Sequence, residues 1–281
     1  MHDHTPAPPE HDEAPALASL PDWFVSREVI PLDDQVALVV CHQAMHEIVG
    51  VCRDLAESPA PVLLTGETGV GKSLLARFIH ASRDPYAPFV SVTTAGLEAP
   101  VLLGTLFGEG PARSAGQPLE AQAAGGTLVL EEMGDMPSGV QERLLRAWDQ
   151  PAQDSPAQWI CTTNLPRRVL DAPGTMIPGF LDRFRRIHVP PLRERRQDIP
   201  AIVAYFSRLK SSREASLESL EDLAKRLARH EFPGNVRELE SIVSLDAGGL
   251  SWEWRTDGPH SGFCVGTSGK KGRKGARNTS R

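Results

Sequence analysis

The octapeptide GETGVGKS, Gly66 to Ser73, constrains this chain more than any other stretch. An apolar run, PVLL, leads into it, and the helix-forming run SLLARFIH leaves it. Glycines at 66, 69 and 71 let backbone N–H groups turn inward around phosphate oxygens. The start of the following helix turns its positive dipole end to the same point. Lys72 adds a point charge for the outer phosphates, and the Ser73 hydroxyl can ligate Mg²⁺. The pattern G-x-x-x-x-G-K-[ST] is met at every required position. Gly66, Glu67, Thr68, Gly69, Val70, Gly71, Lys72 and Ser73 are therefore expected to cradle a triphosphate. A glycine turn of purely structural use is the competing reading, and the strand–loop–helix context argues against it.

Such a loop needs a sheet behind it, and the rest of the chain supplies one. PFVSVT, GTLVLEE, AQWICTTN and RIHVPP read as further strands. KSLLARFIHAS, GLEAPVLLGTLF and SGVQERLLRAWDQ read as helices, the last with Val140, Leu144, Leu145 and Trp148 on one face. VALVVCHQAMHEIVGVCRDLAE carries Met45, Ile48, Val49 and Cys52 at helical spacing. Strands alternating with helices predict an α/β fold, a parallel sheet sandwiched by helices. After Pro191 the pattern turns purely helical, with stripes at Ile199, Ile202, Val203, Phe206, Leu209, then Leu217, Leu220, Leu223, Ala224, Leu227, then Val236, Leu239, Ile242, Val243. The expected division is a disordered, acidic and Pro-rich stretch over 1–31, an α/β unit over 32–191, a small helical unit over 192–247, and an irregular basic tail over 248–281.

A nucleotide site that hydrolyses needs one acid for the metal and one for water. Glu131 and Glu132 close the buried strand TLVLEE, at the edge where open α/β sheets bind ligands. Strand alternation sends neighbours to opposite faces, so the two acids are expected to divide the work. Glu131 is expected in the Mg²⁺ shell and Glu132 against the attacking water. Asn164, after the strand ICTT, could hydrogen-bond the outer phosphate or that water.

Composition excludes other classes. With 40% hydrophobic and 23% charged residues, the chain has the make-up of a globular protein with a real core. No run approaches the roughly 18 apolar residues that span a bilayer, so no membrane partner is expected. The opening MHDHTPAPPEHDEAPA has no apolar signal region, which leads us to expect a cytoplasmic protein. Its four cysteines form no CxxC pair. Net charge is −6, yet SGKKGRKGARNTSR at the C-terminus holds six cations and no acid. That tail could touch nucleic acid or an acidic partner, but nothing beyond it supports DNA binding.

Taken in order, these motifs resemble a known family. PVLLTGETGVGKSLLARFIHASR, PFVSVTTAGL, LFGEG, GGTLVLEEMGDMP, VQERLLRAWD, CTTN, LDRF, VPPLRERRQDI and FPGNVRELESIV are similar, from about residue 34 to 245, to the AAA+ ATPases that activate sigma-54 RNA polymerase. The resemblance implies an AAA+ P-loop NTPase fold with a helical lid, ATP and Mg as ligands, and a homo-oligomeric ring with nucleotide between subunits. It implies that Lys72 and Ser73 are the Walker A pair and Glu131 and Glu132 the Walker B pair. Asn164 falls at sensor I. Arg183 in LDRF matches an arginine finger reaching the neighbouring subunit, and Arg237 in GNVREL matches sensor II. Surface charges or internal ion pairs are the alternative readings of both arginines.

The chain departs from that family in several places. Glu131 stands where the first Walker B acid is normally Asp, and Thr93 stands where a switch Asn is usual. A second arginine finger has no match in the short segment GTMIPGFLDRF. Family members insert a loop tipped by Gly-Ala-Phe-Thr-Gly-Ala after LFG, and GEGPARSAGQPLE contains no such tip. The segment DQPAQDSPAQ before sensor I is also short. No receiver-like segment and no helix-turn-helix periodicity are recognisable on either side of the ATPase. Three readings therefore stand open: a divergent or truncated transcription regulator of sigma-54-activator type, an AAA+ remodelling ATPase acting on another partner, and a nucleotide-binding scaffold that does not turn over.

Overall fold

Val62, Leu63 and Leu64 are all fully buried, yet they face two different layers. Val62 and Leu64 join one core cluster and Leu63 the other. The same alternation recurs at Val129 against Leu128 and Leu130, and at Ile160 against Trp159 and Cys161. A strand whose two faces are both covered has no polar side, which is why these runs read as continuous apolar stretches. The computed structural model describes residues 27–33, 36–110, 116–150, 156–210, 217–227, 230–247, 251–255 and 262–266.

Strands β1 (Glu28–Pro31) and β2 (Ala37–Val40) form an antiparallel pair, followed by α1 (Gln43–Ala56). Then come β3 (Val62–Thr65), α2 (Lys72–Arg83), β4 (Phe89–Thr93), α3 (Ala99–Phe107) and a single turn, α4 (Leu119–Gln122). These are followed by β5 (Thr127–Glu131), α5 (Ser138–Asp149), β6 (Gln158–Thr163), short α6 (Arg167–Leu170) and β7 (Arg185–His188). The five strands β3 to β7 form one parallel sheet in the order β4-β5-β6-β3-β7. The expected α/β sandwich is therefore present. Three helices complete it: α7 (Asp198–Lys210), α8 (Leu217–Leu227) and α9 (Asn235–Ala247). No helix among the described residues is long and apolar enough to cross a membrane.

Helix α2 begins at the phosphate loop and buries Leu75, Ala76, Phe78 and Ile79 against the sheet. Helix α5 buries Val140, Leu144 and Ala147 on the opposite layer. At its end Trp148 stacks on Phe180 at 5.5 Å and meets Phe184 edge-on at 5.1 Å. These aromatic contacts anchor the turn that precedes β7.

Two elements differ from the sequence expectation. The pair β1–β2 extends the ordered chain back to Glu28, and ALVV, expected within a helical segment, is strand β2. Its alternation explains the difference: Leu38 and Val40 join the core under α1 and α2, while Val39 and Cys41 join the helical subdomain's core. A two-faced role of this kind cannot be told from a helix by apolar content alone. Second, β8 (Ser251–Arg255) and β9 (Gly262–Gly266) pair antiparallel inside the region expected to be irregular. The alternating aromatics of SWEWR were masked by glycine-rich surroundings. The stretch 1–26 and most of the tail lie outside the described residues, as do the expectations made for them.

One helix residue gives the α/β unit a pH dependence. His80 on α2 has Nδ1 3.0 Å from Thr127 Oγ1 and meets Phe89 edge-on. Burial pushes its pKa below the ordinary histidine value, with Asp84 pulling partly the other way. The unfolded chain takes up a proton near pH ~6.5, whereas folded His80 stays neutral until lower pH. Its contribution is complete above the unfolded value and declines as pH falls from there toward the folded value. Urea midpoints at pH 7.5 and 5.5 should therefore differ more in the wild type than in His80→Gln. Equal differences would remove His80 from the account.

Candidate functional site

The phosphate loop leaves β3 between two strands, β6 and β7, that are connected elsewhere in the chain, so a crevice opens at its carboxyl end. A cavity of about 780 Å³ fills that crevice. Thr68, Gly69, Val70, Gly71, Lys72 and Ser73 line it from the loop, and Glu131, Glu132 and Thr162 from the strand ends. Arg237 closes it from α9. Gly66 and Glu67 lie outside the lining. Gly66 sits at φ +146°, and an added Cβ there would come within 2.6 Å of the Val189 carbonyl, so the loop can leave β3 only through glycine.

Lys72 is 7% exposed, and its Nζ donates to the carbonyls of Gly66 at 2.8 Å and Glu67 at 3.0 Å. Burial lowers its pKa, and Glu132 works against that shift. Both Walker-type acids face this cavity, although alternation alone would send them apart. Glu132 adopts a left-handed backbone, φ 58° and ψ 50°, so the chain turns as the strand ends. Glu131 Oε1 accepts from Ser73 Oγ at 3.2 Å. Thr162 Oγ1 accepts from the Glu132 N–H at 3.3 Å. A hydroxyl beside a carboxylate is a hard oxygen donor set, the kind that suits Mg²⁺. No cluster of three or more His, Cys, Asp or Glu able to hold a metal occurs among the described residues. An Mg²⁺ ion there would draw its remaining ligands from phosphates and water, as is usual for that ion.

Besides Gly66 and Glu67, two more expected residues are not in the cavity's lining. Asn164 is exposed and absent from the lining; Thr162, two residues earlier, is present. Arg183 lies in the turn Leu181–Arg183 and pairs with Asp149 at the end of α5, both side chains being about half exposed. An internal ion pair, the alternative reading of Arg183, is thus what the single chain contains.

A polar network missed in the sequence ties the loop to the helical subdomain. Arg193 makes a two-pronged contact with Glu67, at 2.8 and 2.6 Å, and holds its carboxyl below the ordinary carboxylate range. Asn235, fully buried with φ 53°, donates to the Thr68 carbonyl and to Glu67, and accepts from the Leu192 N–H. Arg195 donates to the Val70 carbonyl at 2.6 Å and pairs with buried Asp198. Asp198 in turn accepts from the backbone N–H groups of Cys41 and His42. The signal was the charge-dense run RERRQD beside an apolar stripe, where a solvated surface is the ordinary expectation. The cavity's far wall was also missed: Leu38, Val39, Tyr205 and Phe206 give it an apolar side.

Gly69 marks where the two units touch. It has φ +78°, its carbonyl accepts from the Val236 N–H at 3.0 Å, and an added Cβ would lie 2.3 Å from the Gly234 carbonyl. Gly69→Ala should cost about 1–3 kcal/mol in urea unfolding. Gly139→Ala, where no atom lies within 4 Å, should be neutral or mildly stabilising. Equal effects at both positions would contradict the contact.

A parallel sheet in this order, a Lys–Ser phosphate loop, paired acids and a helical lid define an AAA+ domain. Residues 38–154 match the sigma-54 interaction domain family, and residues 193–245 match the AAA+ ATPase lid domain family. The chain thus carries an AAA+ domain of the sigma-54 interaction type with its lid, and its relatives are NtrC-type regulators. It is 34% identical over 228 residues to the DNA-binding transcriptional regulator NtrC of Bradyrhizobium sp. (strain RP501 Parasponia), covering 75% of this chain and 48% of that protein. It is 34% identical over 234 residues to the transcriptional regulatory protein FlbD of Caulobacter vibrioides, covering 75% of this chain and 50% of that one. Crystal structures of NtrX from Brucella abortus in complex with ATP and with ADP superpose with a TM-score of 0.62 at 28% identity. The ATP complex covers 74% of this chain and 49% of NtrX. The chain spans about half the length of the curated relatives it matches.

Proposed function

We propose that this chain binds ATP with Mg²⁺ in the crevice between sheet and lid and hydrolyses it, as a divergent regulator of the sigma-54-activator type. The observation that carries this is one cavity lined by Lys72, Ser73, Glu131, Glu132 and Arg237 together. Lys72 and the loop N–H groups hold the phosphates, and the apolar wall of Leu38, Val39 and Phe206 receives the base. Ser73 and Glu131 hold the metal, which when bound neutralises charge on the phosphates. Glu132 orients and deprotonates the attacking water. Arg237 reports phosphate occupancy to the lid. The ATP and ADP complexes of NtrX, a protein of the same fold, support the choice of nucleotide.

Arg183 supports the ring reading: it is absent from its own cavity's lining and about half exposed, so it could reach a neighbour once Asp149 releases it. Asn164 keeps the sensor I role that the resemblance implies, hydrogen-bonding the outer phosphate or the attacking water. GEGPARSAGQPLE has no Gly-Ala-Phe-Thr-Gly-Ala tip, so contact with sigma-54 RNA polymerase of the family's usual kind is not expected. Residues 111–115 of that loop and 151–155 of the short segment before β6 lie outside the described residues. The Arg183–Asp149 pair and the outward Asn164 favour a second reading, a nucleotide-responsive scaffold without turnover.

Turnover measured against protein concentration separates the two. Specific activity should rise with concentration, and Arg183→Ala should lower turnover more than ATP affinity. Strong activity in a dilute monomer would overturn the shared site, because a finger acting in trans needs a neighbour. Wild-type activity no higher than Glu132→Gln would favour the scaffold.

A further inference from the structure

Glu131 is one methylene longer than the aspartate usual at the metal-side position, so its carboxylate has one more rotatable bond to fix. The structure shows what fixes it. Thr94 clamps the backbone: both its N–H, at 2.8 Å, and its Oγ1, at 3.0 Å, donate to the Glu131 carbonyl. Thr93 and Glu131 are directly paired in the parallel register of β4 and β5, as are Ser91 and Val129. Ser91 and Glu131 therefore stand diagonally on one sheet face, within reach of each other. Ser91 Oγ donates to Glu131 Oε1 at 3.3 Å, the same oxygen that accepts from Ser73 Oγ at 3.2 Å. Both contacts are long for O–H···O bonds. One carboxylate oxygen is thus held between the expected metal-ligating hydroxyl and a second hydroxyl from the sheet's edge strand.

We propose that Ser91 is a positioning residue for the metal ligand Glu131, accommodating the extra methylene by holding Oε1 beside Ser73. An aspartate at 131, shorter by about 1.5 Å of chain, has one rotatable bond fewer to fix and so depends less on a second hydroxyl to orient it. Removing a partner that orients a metal ligand typically costs about 10–100-fold in metal affinity. The inference rests on the Mg–nucleotide reading of the site and adds to it a residue the phosphate-loop pattern does not include. Ser91 is exposed, so its substitution leaves the core intact.

The test is a double-mutant cycle read by binding rather than turnover. Mn²⁺ is titrated into the full chain saturated with a non-hydrolysable ATP analogue, and free Mn²⁺ is followed by electron paramagnetic resonance. Ser91→Ala should weaken Mn²⁺ binding about tenfold, and Ser91→Thr, which keeps the hydroxyl, should stay close to wild type. In a Glu131→Asp background, Ser91→Ala should change Mn²⁺ affinity by less than about twofold, because the two sites no longer couple. Equal losses in both backgrounds, or no loss in either, would overturn the role of Ser91 while leaving the site standing. A wild type that binds no Mn²⁺ beyond the nucleotide analogue alone would overturn the metal reading and the inference with it.

Discussion

Replacement of Lys72 by Ala should weaken ATP binding at least about 100-fold, the scale of removing a preorganised charge from a water-excluded site. Lys72 is almost wholly enclosed, with its ammonium held by two loop carbonyls. Burial works against its charge and Glu132 supports it. A charge kept in place under those conditions interacts strongly with phosphates, because little water screens it. Lys72→Arg should fail almost as badly, since a planar fork does not fit where a compact ammonium donates to two converging carbonyls. Glu132→Gln should behave in the opposite way: it retains nucleotide and loses turnover at least about 100-fold. Isothermal titration with ATP and a phosphate-release assay on the same preparations separate the two. Nucleotide affinity unchanged in Lys72→Ala would mean that this crevice is not the nucleotide site.

The second large effect belongs to stability. Asp198→Ala should cost about 3–5 kcal/mol, the penalty for breaking one side of a buried ion pair. Asp198 is fully buried and accepts from Arg195 and from the N–H groups of Cys41 and His42. Its loss leaves a buried guanidinium, the buried Cys41 N–H and the half-buried His42 N–H without their acceptor. Arg195 would keep the Val70 and Pro190 carbonyls, which hold a guanidinium but do not neutralise it. Arg195→Met should cost less than Asp198→Ala, because Asp198 would still accept from Cys41 and His42. Since a domain's total stability is only about 5–15 kcal/mol, the Asp198 variant should unfold at markedly lower urea. A change below about 1 kcal/mol would show that the pair does not hold hairpin, loop and lid together.

How much of this was legible follows from the kind of signal each residue carries. GETGVGKS and TLVLEE identify themselves because phosphate binding demands fixed residue types at fixed spacing. The sheet was legible because strands buried on both faces must be apolar throughout. Strand β2 was not, since ALVV merges with the helix after it, and its two faces serve different cores. Asn164 was singled out for its amide, yet Thr162 reaches the cavity, a difference of two residues set by where β6 stops. The link from Glu67 to Arg193 spans 126 residues, and no local pattern announces it.

The sequence by itself determined the phosphate loop, the paired acids, the α/β alternation and the change to helices after Pro191. Each of these is local: it depends on period, residue type and spacing along the chain. Tertiary structure alone decided that Glu131 and Glu132 share one cavity, that Arg183 rests on Asp149, and that Ser91 touches Glu131. It also decided that Arg193, Arg195 and Asn235 fasten lid to loop. Those outcomes depend on which strand lies beside which and on a left-handed turn at a strand end. The free energy that selects them comes from burying distant segments together, and a linear reading does not contain it.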